Sequence, residues 1–432
     1  MKNFKSIFKG NLVLKITSLN AVVIAIRLVI SLVIQRILAV TFGEVGIAKI
    51  GQIRNLMQII TSTASFGTFN GVVKYVSEHS EKKAILNKFF NTVFVFGFIG
   101  SFLSATILFF NASWITQSLF GNLDFLELIK ILAFLPPVIA INIIFSGLIN
   151  GLSDYKKYAK IELVSYLLSA VLLLVFLYNY QLEGVLFSII ITPILQLFVI
   201  LYIFGSIIKK HINFKNIKVE IPFAKELLGF TLMSFVSSIL LNYIELDIRT
   251  TISNKISTNE AGYWTAMTFI SKNYMVFSSG LFTLYVIPKF ARIYEGHVFK
   301  KEVLNIYKTI LPLFGLGMLL VYIFRKLVIE IVYPNFLGLE PLFKWQLIGD
   351  FIRLAALVVS HQFLAKKMVK IFIITELMSL GLFYILAKYL VVIYGAEGVV
   401  MAHLYRNIIY FFIVLFAVWN YFKMQKSNID YE

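Results

Sequence analysis

Five cations lie deep inside apolar stretches of this 432-residue chain: Arg27, Arg54, Lys272, Arg353 and Arg406. A basic side chain at mid-bilayer costs at least about 2.5–3.5 kcal/mol, so such residues face a polar cavity or a partner. Asp350 is the one equally deep acid. Five cations against one acid suggest an interior built to receive an anion, the chemistry expected of a transporter for a negatively charged substrate.

The spacing of these residues refines that expectation. Arg27 lies midway along a first apolar span and Arg36 nine residues later, about 180° around an ideal helix. Arg27 is therefore assigned to the cavity, with an ion pair to an acid on another helix as the alternative. Arg36, near the outer end, can snorkel to the interface. Arg54 sits among Gln52, Asn55, Gln58, Thr61 and Thr63, and Lys272 among Thr265, Thr268, Ser271 and Asn273. Cations set among hydroxyls and amides fit a phosphate and sugar site; the alternative is a polar seam between helices. Arg249 completes the candidate substrate-binding set.

The acids supply candidates for coupling and gating. Glu245 and Arg249 are four residues apart on one helix face, which favours a local ion pair over an outer gate that includes Asp247. Asp350 and Arg353, three apart, either neutralise one another or act as a switch in which protonation of Asp350 frees Arg353 for the substrate. Glu376, alone in its span, is the other candidate coupling acid, and Arg406 has no acid within a helical turn.

These residues need membrane elements to hold them. The chain is 59% hydrophobic, 16% aromatic and 14% charged, the balance of an all-α polytopic membrane protein. Twelve spans are expected, at roughly 13–39, 45–71, 88–110, 126–150, 160–178, 184–207, 226–252, 260–287, 303–324, 342–364, 369–390 and 397–422. The second, seventh, eighth and tenth are more polar than lipid-facing helices and are expected to line the cavity. Twenty-five of the 40 Lys and Arg residues fall at the N-terminus, in the even-numbered loops or in the tail, and six on the opposite face. By the positive-inside rule both termini are cytoplasmic. Pro136–Pro137 and Pro193 are expected to kink helices, and Pro288 to end the eighth span.

The same composition excludes several classes. Cysteine is absent, which removes disulfide and thiol chemistry. The net charge of +18 sits in short loops, where it fits membrane topology and anionic headgroups, not nucleic acid. No P-loop, dinucleotide fingerprint or metal spacing occurs, so no cofactor, metal or ATP-driven step is expected. The outer loops are too short for a catalytic domain of a membrane glycan polymerase or ligase.

A weak repeat divides the chain. Glu44-Val45-Gly46 and Glu260-Ala261-Gly262 lie 216 positions apart, and Glu183-Gly184-Val185 and Glu397-Gly398-Val399 lie 214 apart. Six spans in each half make the halves parallel, with an axis along the membrane normal and a cavity between them. The expected organisation is two six-helix bundles, 1–208 and 226–432, joined by a basic cytoplasmic linker, 209–225.

The runs Phe66-Gly67-Thr68-Phe69-Asn70-Gly71-Val72-Val73-Lys74-Tyr75-Val76, Leu119-Phe120-Gly121-Asn122, Gly229-Phe230-Thr231-Leu232-Met233 and Trp345-Gln346-Leu347-Ile348-Gly349-Asp350 resemble those of the Wzx flippases. The similarity extends to the branch of O-antigen and enterobacterial common antigen lipid III flippases. It implies the multidrug/oligosaccharidyl-lipid/polysaccharide exporter fold, two six-helix bundles around a V-shaped cavity. It also implies flipping of an undecaprenyl-diphosphate-linked oligosaccharide across the bacterial inner membrane, beside a glycan polymerase and a chain-length regulator. In that branch, basic residues also stand at the positions of Arg27, Arg36, Arg249, Arg353 and Lys366, and acids at those of Asp350 and Glu376. Lys49, Arg54, Lys272 and Arg406 are charges this chain adds. The rival of the same fold is a multidrug or cation antiporter, which would prefer an acidic or apolar cavity.

Overall fold

The computed structural model describes residues 12–152, 154–282, 286–366 and 368–429. Lys2, Lys5, Lys9 and Lys367, which contribute to the expected charge bias, lie outside them. Every regular element among the described residues is helical. In chain order these are α1 (Leu12–Ala64), α2 (Phe69–His79), α3 (Lys83–Phe110), α4 (Ala112–Phe120), α5 (Leu126–Leu132), α6 (Pro136–Gly151), α7 (Tyr155–His211) and α8 (Ala224–Ser234). A π-helical stretch, Phe235–Leu240, leads into α9 (Leu241–Lys255), followed by α10 (Thr258–Leu281), α11 (Ile287–Ala291), α12 (Gly296–Ile323), α13 (Arg325–Val332), α14 (Glu340–Ala365) and α15 (Val369–Ile429).

Seven of these helical stretches are long and apolar enough to cross a bilayer, and α5 with α6 make an eighth, bent by 49°. Pro136 and Pro137 open α6, where a missing N–H costs nothing, so the bend falls where the prolines were expected to act. Pro193 lies inside α7, and its carbonyl accepts a hydrogen bond from Asn142 Nδ2 at 2.6 Å. Pro288 stands in the first turn of the short helix α11, where a fixed φ favours initiation.

The three longest helices are each broken at one residue. Gly43, Gln181 and Gly395 have φ of 58°, 52° and 59° with ψ near the opposite extended region, so the i to i−4 ladder stops there. The expected boundaries between the first and second, fifth and sixth, and eleventh and twelfth spans bracket these residues. The chain folds back at two of them. A Cβ on Gly184 would lie 2.3 Å from the Phe176 carbonyl oxygen, and one on Gly398 2.2 Å from the Leu390 carbonyl oxygen. Both carbonyls belong to the eighth residue before the glycine, about 12 Å away in a straight helix.

Contacts divide the chain into two compact units: the described part of Met1–Ile30 with Lys49–Leu246, and Ser31–Ala48 with Asp247–Glu432. The first has an aromatic and aliphatic core that includes Val72, Phe89, Phe90, Phe145, Leu148, Phe204 and Leu227, with Tyr75 stacked on Phe89 at 4.7 Å. The core of the second includes Phe282, Phe290, Phe299, Leu354, Val358, Phe363 and Val414.

Candidate functional site

A polar cluster lies within the second unit, around Asp350. On α14, Gln346 and Asp350 are four residues apart and share a face. Gln346 Nε2 donates to Asp350 Oδ2 at 3.0 Å. From α10, Ser271 Oγ donates to the same oxygen at 2.6 Å, and the Tyr274 hydroxyl donates to it as well. From α15, His403 Nε2 lies 3.0 Å from Asp350 Oδ1, and the Asn407 side-chain amide lies 3.1 Å from that ring nitrogen. Asp350 is fully buried. A carboxylate can be held in such a place only when donors replace its water, and four side chains do so here.

The run Trp345–Asp350 now has a physical explanation. Trp345 Nε1 donates to Glu397 Oε1 at 2.7 Å, beside the break in α15. A Cβ on Gly349 would stand 2.7 Å from His403 Cδ2 and 3.2 Å from the Leu404 Cα. Glycine at 349 therefore lets α15 come close enough for His403 to reach Asp350.

This geometry corrects one expectation. Asp350 and Arg353 form no ion pair among the described residues. The carboxylate is filled by donors from three helices, and the half-buried Arg353 is left to act on it through space. Sequence reading missed His403 and Tyr274, and it set Ser271 beside Lys272 instead of Asp350. A histidine three positions before Arg406 and four before Asn407, inside an apolar span, was the available signal.

A second polar group lies along the two segments of α15. Arg406, buried, donates from Nε to Ser379 Oγ at 2.9 Å and stands over the Phe383 ring, 5.2 Å from its centroid. The Tyr410 hydroxyl donates to Glu376 at 2.7 Å, so Glu376 has a partner that its solitary place in the eleventh span did not suggest. Asp247 pairs with Lys388 at 2.6 Å, and Lys388 also donates to the Thr251 hydroxyl. Arg249 is almost completely buried: its Nε donates to Thr265 Oγ1 at 2.7 Å, and its guanidinium lies over Trp264 at 4.9 Å. Lys272 is exposed on α10.

In the first unit, Arg27 meets the alternative that spacing left open. It pairs with Glu162 of α7 at 2.8 Å and lies over the Tyr166 ring at 5.0 Å. The pair remains partly open, with side chains 39% and 25% exposed, so the guanidinium keeps access to a second anion. Arg54 is half-buried on α1. Nearby, Asn55 donates to the Asn242 carbonyl and to Glu245 Oε2, both at 3.3 Å, and Ser62 and Ser238 share a hydrogen bond of 2.7 Å. The Ser62–Ser238 contact meets the π-helical turn, a departure from α-geometry that recurs at functional sites. Among the peripheral cations, Arg36 caps α13 by donating to the carbonyls of Glu330 and Ile331, Lys49 lies over Phe125 at 5.0 Å, and Lys366 donates to the Ala291 carbonyl at 2.9 Å.

Broken apolar helices that carry buried polar networks make up a polytopic membrane fold. An inward-facing MATE family multidrug transporter of the MOP superfamily matches with a TM-score of 0.77 at 14% identity, covering 95% of this chain and 99% of that one. The lipid II flippase MurJ in an inward closed conformation matches with a TM-score of 0.69 at 17% identity, covering 93% and 87%. The chain belongs to the polysaccharide biosynthesis protein family, whose model matches residues 36–336. Among characterised relatives, the lipid III flippases of Escherichia coli K12 and Shigella flexneri are each 28% identical over 399 residues, covering 90% of this chain and 94% of theirs.

Proposed function

We propose that this protein is a flippase, a transporter and not an enzyme. Its substrate is an undecaprenyl-diphosphate-linked oligosaccharide, an O-antigen or enterobacterial common antigen repeat unit, moved from the cytoplasmic to the periplasmic leaflet. The observation that carries this reading is the near full-length similarity to lipid III flippases within a polysaccharide biosynthesis family. In this reading twelve spans make two six-helix bundles, 1–208 and 226–432. Eight apolar stretches, three of them divided by breaks, and the more polar α10 together supply that number. The excess of cytoplasmic-loop lysines supports cytoplasmic termini.

In this reading the diphosphate and sugars enter a central cavity while the polyprenyl tail stays in lipid, and alternating access moves one bundle against the other. Arg27, Arg54, Lys272, Arg353, Arg406 and Arg249 offset the cost of desolvating the diphosphate. Asp350, Glu376, Glu245 and Asp247 set the coupling or gating. A glycan polymerase and a chain-length regulator act on the delivered unit.

The test is surface polysaccharide in a deletion strain, with lipid-linked intermediates identified by mass spectrometry. Loss of one glycan with accumulation of its undecaprenyl-linked unit is expected, and Arg27→Glu is expected to reproduce it at unchanged protein level. An unaltered glycan profile with changed drug tolerance would instead establish a multidrug antiporter of the same fold.

A further inference from the structure

The segment between α7 and α8 has a composition that neither packing nor transport uses. From Asn213 to Pro222 every residue is exposed. Ile217, Val219 and Ile221 are 39%, 92% and 53% exposed, and Phe214 adds an exposed ring. They alternate with Lys215, Lys218 and Glu220, and Lys209, Lys210 and Lys225 flank them, all exposed. Five lysines face one acid, Glu220, with Glu226 just beyond.

This strap is nonetheless fixed in place. Ile212 at its start and Leu227 after it are buried in the core of the first unit. The backbone N–H of Lys218 donates to Asn91 Oδ1, and that of Phe223 to Thr92 Oγ1, both at 3.2 Å. Asn91 and Thr92 are themselves buried on α3. Two side chains inside a membrane helix thus hold the strap across the end of α3 while its aliphatic groups point away from protein.

Its position identifies what covers those groups. The strap joins two apolar membrane stretches, Lys156–His211 and Ala224–Lys255, and so lies where the bilayer ends. Aliphatic side chains interleaved with lysines are suited to the headgroup boundary, the aliphatic groups reaching acyl chains and the ammonium groups meeting phosphates. We infer that residues 213–222 form an interfacial anchor for an anionic phospholipid surface, with Phe214, Ile217, Val219 and Ile221 inserted and Lys215 and Lys218 on the headgroups. The inference uses the cytoplasmic placement of this loop but not the identity of the substrate, so its test reads lipid contact and not transport.

The absence of cysteine makes that test direct. Val219→Cys and Ile221→Cys, each labelled with an environment-sensitive fluorophore, are compared in nanodiscs of phosphatidylcholine with and without phosphatidylglycerol. With the anionic lipid, both labels should shift to shorter wavelength, resist iodide and be quenched by lipid-attached quenchers. Adding Lys215→Gln and Lys218→Gln should reduce the docked fraction several-fold, since each lysine near an anionic surface contributes separately. Labels open to iodide in the anionic membrane would overturn the anchor. So would embedding that is the same with and without phosphatidylglycerol and indifferent to the two lysines.

Discussion

The two hairpin-like helices α7 and α15 share a backbone and differ in chemistry. Their breaks, Gln181 and Gly395, lie 214 positions apart, and the glycines that permit the close return, Gly184 and Gly398, are separated by the same interval. Glu162 and Glu376 also correspond at that offset, and each carboxylate accepts a hydrogen bond, from Arg27 and Tyr410 respectively. Beyond the break the two part. Where α15 carries His403, Arg406, Asn407 and Tyr410, the matching residues of α7 are Ile189, Thr192, Pro193 and Gln196. Geometry has been kept in both copies, and the buried charge network has been built in one.

The largest test of that difference is at Asp350. Replacing it with Ala removes the acceptor for Ser271, Tyr274, Gln346 and His403 at once. Each buried donor left unsatisfied costs about 1–3 kcal/mol, and several are lost together, so the detergent-solubilised protein should lose many degrees of thermal stability. Ile189→Ala, at the position of α7 that corresponds to His403, removes only apolar contact and should cost about 2–3 kcal/mol. Equal or smaller loss at Asp350, measured by temperature-dependent gel filtration, would show that the network does not organise the second unit.

The close returns should fail alike. A Cβ at Gly184 or Gly398 meets backbone carbonyl oxygen at 2.2–2.3 Å, contacts that no rotamer change relieves. Gly184→Ala and Gly398→Ala should each cost about 1–3 kcal/mol through forced backbone shifts. A loss at one and none at the other would mean that the hairpins are not equivalent. The Arg27–Glu162 pair is more open, and Glu162→Gln should cost only about 1 kcal/mol, with a clear dependence on salt.

What the sequence made legible follows from range. Hydropathy is a local signal, and it located each of the three breaks within a few residues. The repeat was visible because Glu183-Gly184 and Glu397-Gly398 are constrained by close backbone contact, which tolerates little change of side chain. Asp350 was legible as a buried acid, but its partners were not. Ser271, Tyr274 and His403 lie 53 to 79 positions away on other helices, and nothing local links them to Asp350. The i,i+3 neighbour Arg353 was the available partner by spacing, and tertiary packing chose others. Arg27 shows the same limit, since Glu162 is 135 residues distant.

The smallest expected effect separates backbone from side chain at the breaks themselves. Gln181 occupies φ 52°, ψ −137°, a region that a Cβ makes costly, whereas Gly395 adopts nearly the same angles without that cost. Gln181→Gly should therefore stabilise the protein by up to about 1 kcal/mol, because relief of strain exceeds the added freedom of the unfolded chain. Gly395→Ala should destabilise it, both through the same strain and because the new Cβ would stand 2.9 Å from Glu260 Oε2. That carboxylate accepts the Ala396 N–H at 2.8 Å and so caps the helix that begins there. If Gln181→Gly lowers the melting temperature instead, the glutamine side chain holds the break of α7 by contacts that outweigh its strained backbone, and the two copies differ in how they turn as well as in what they bury.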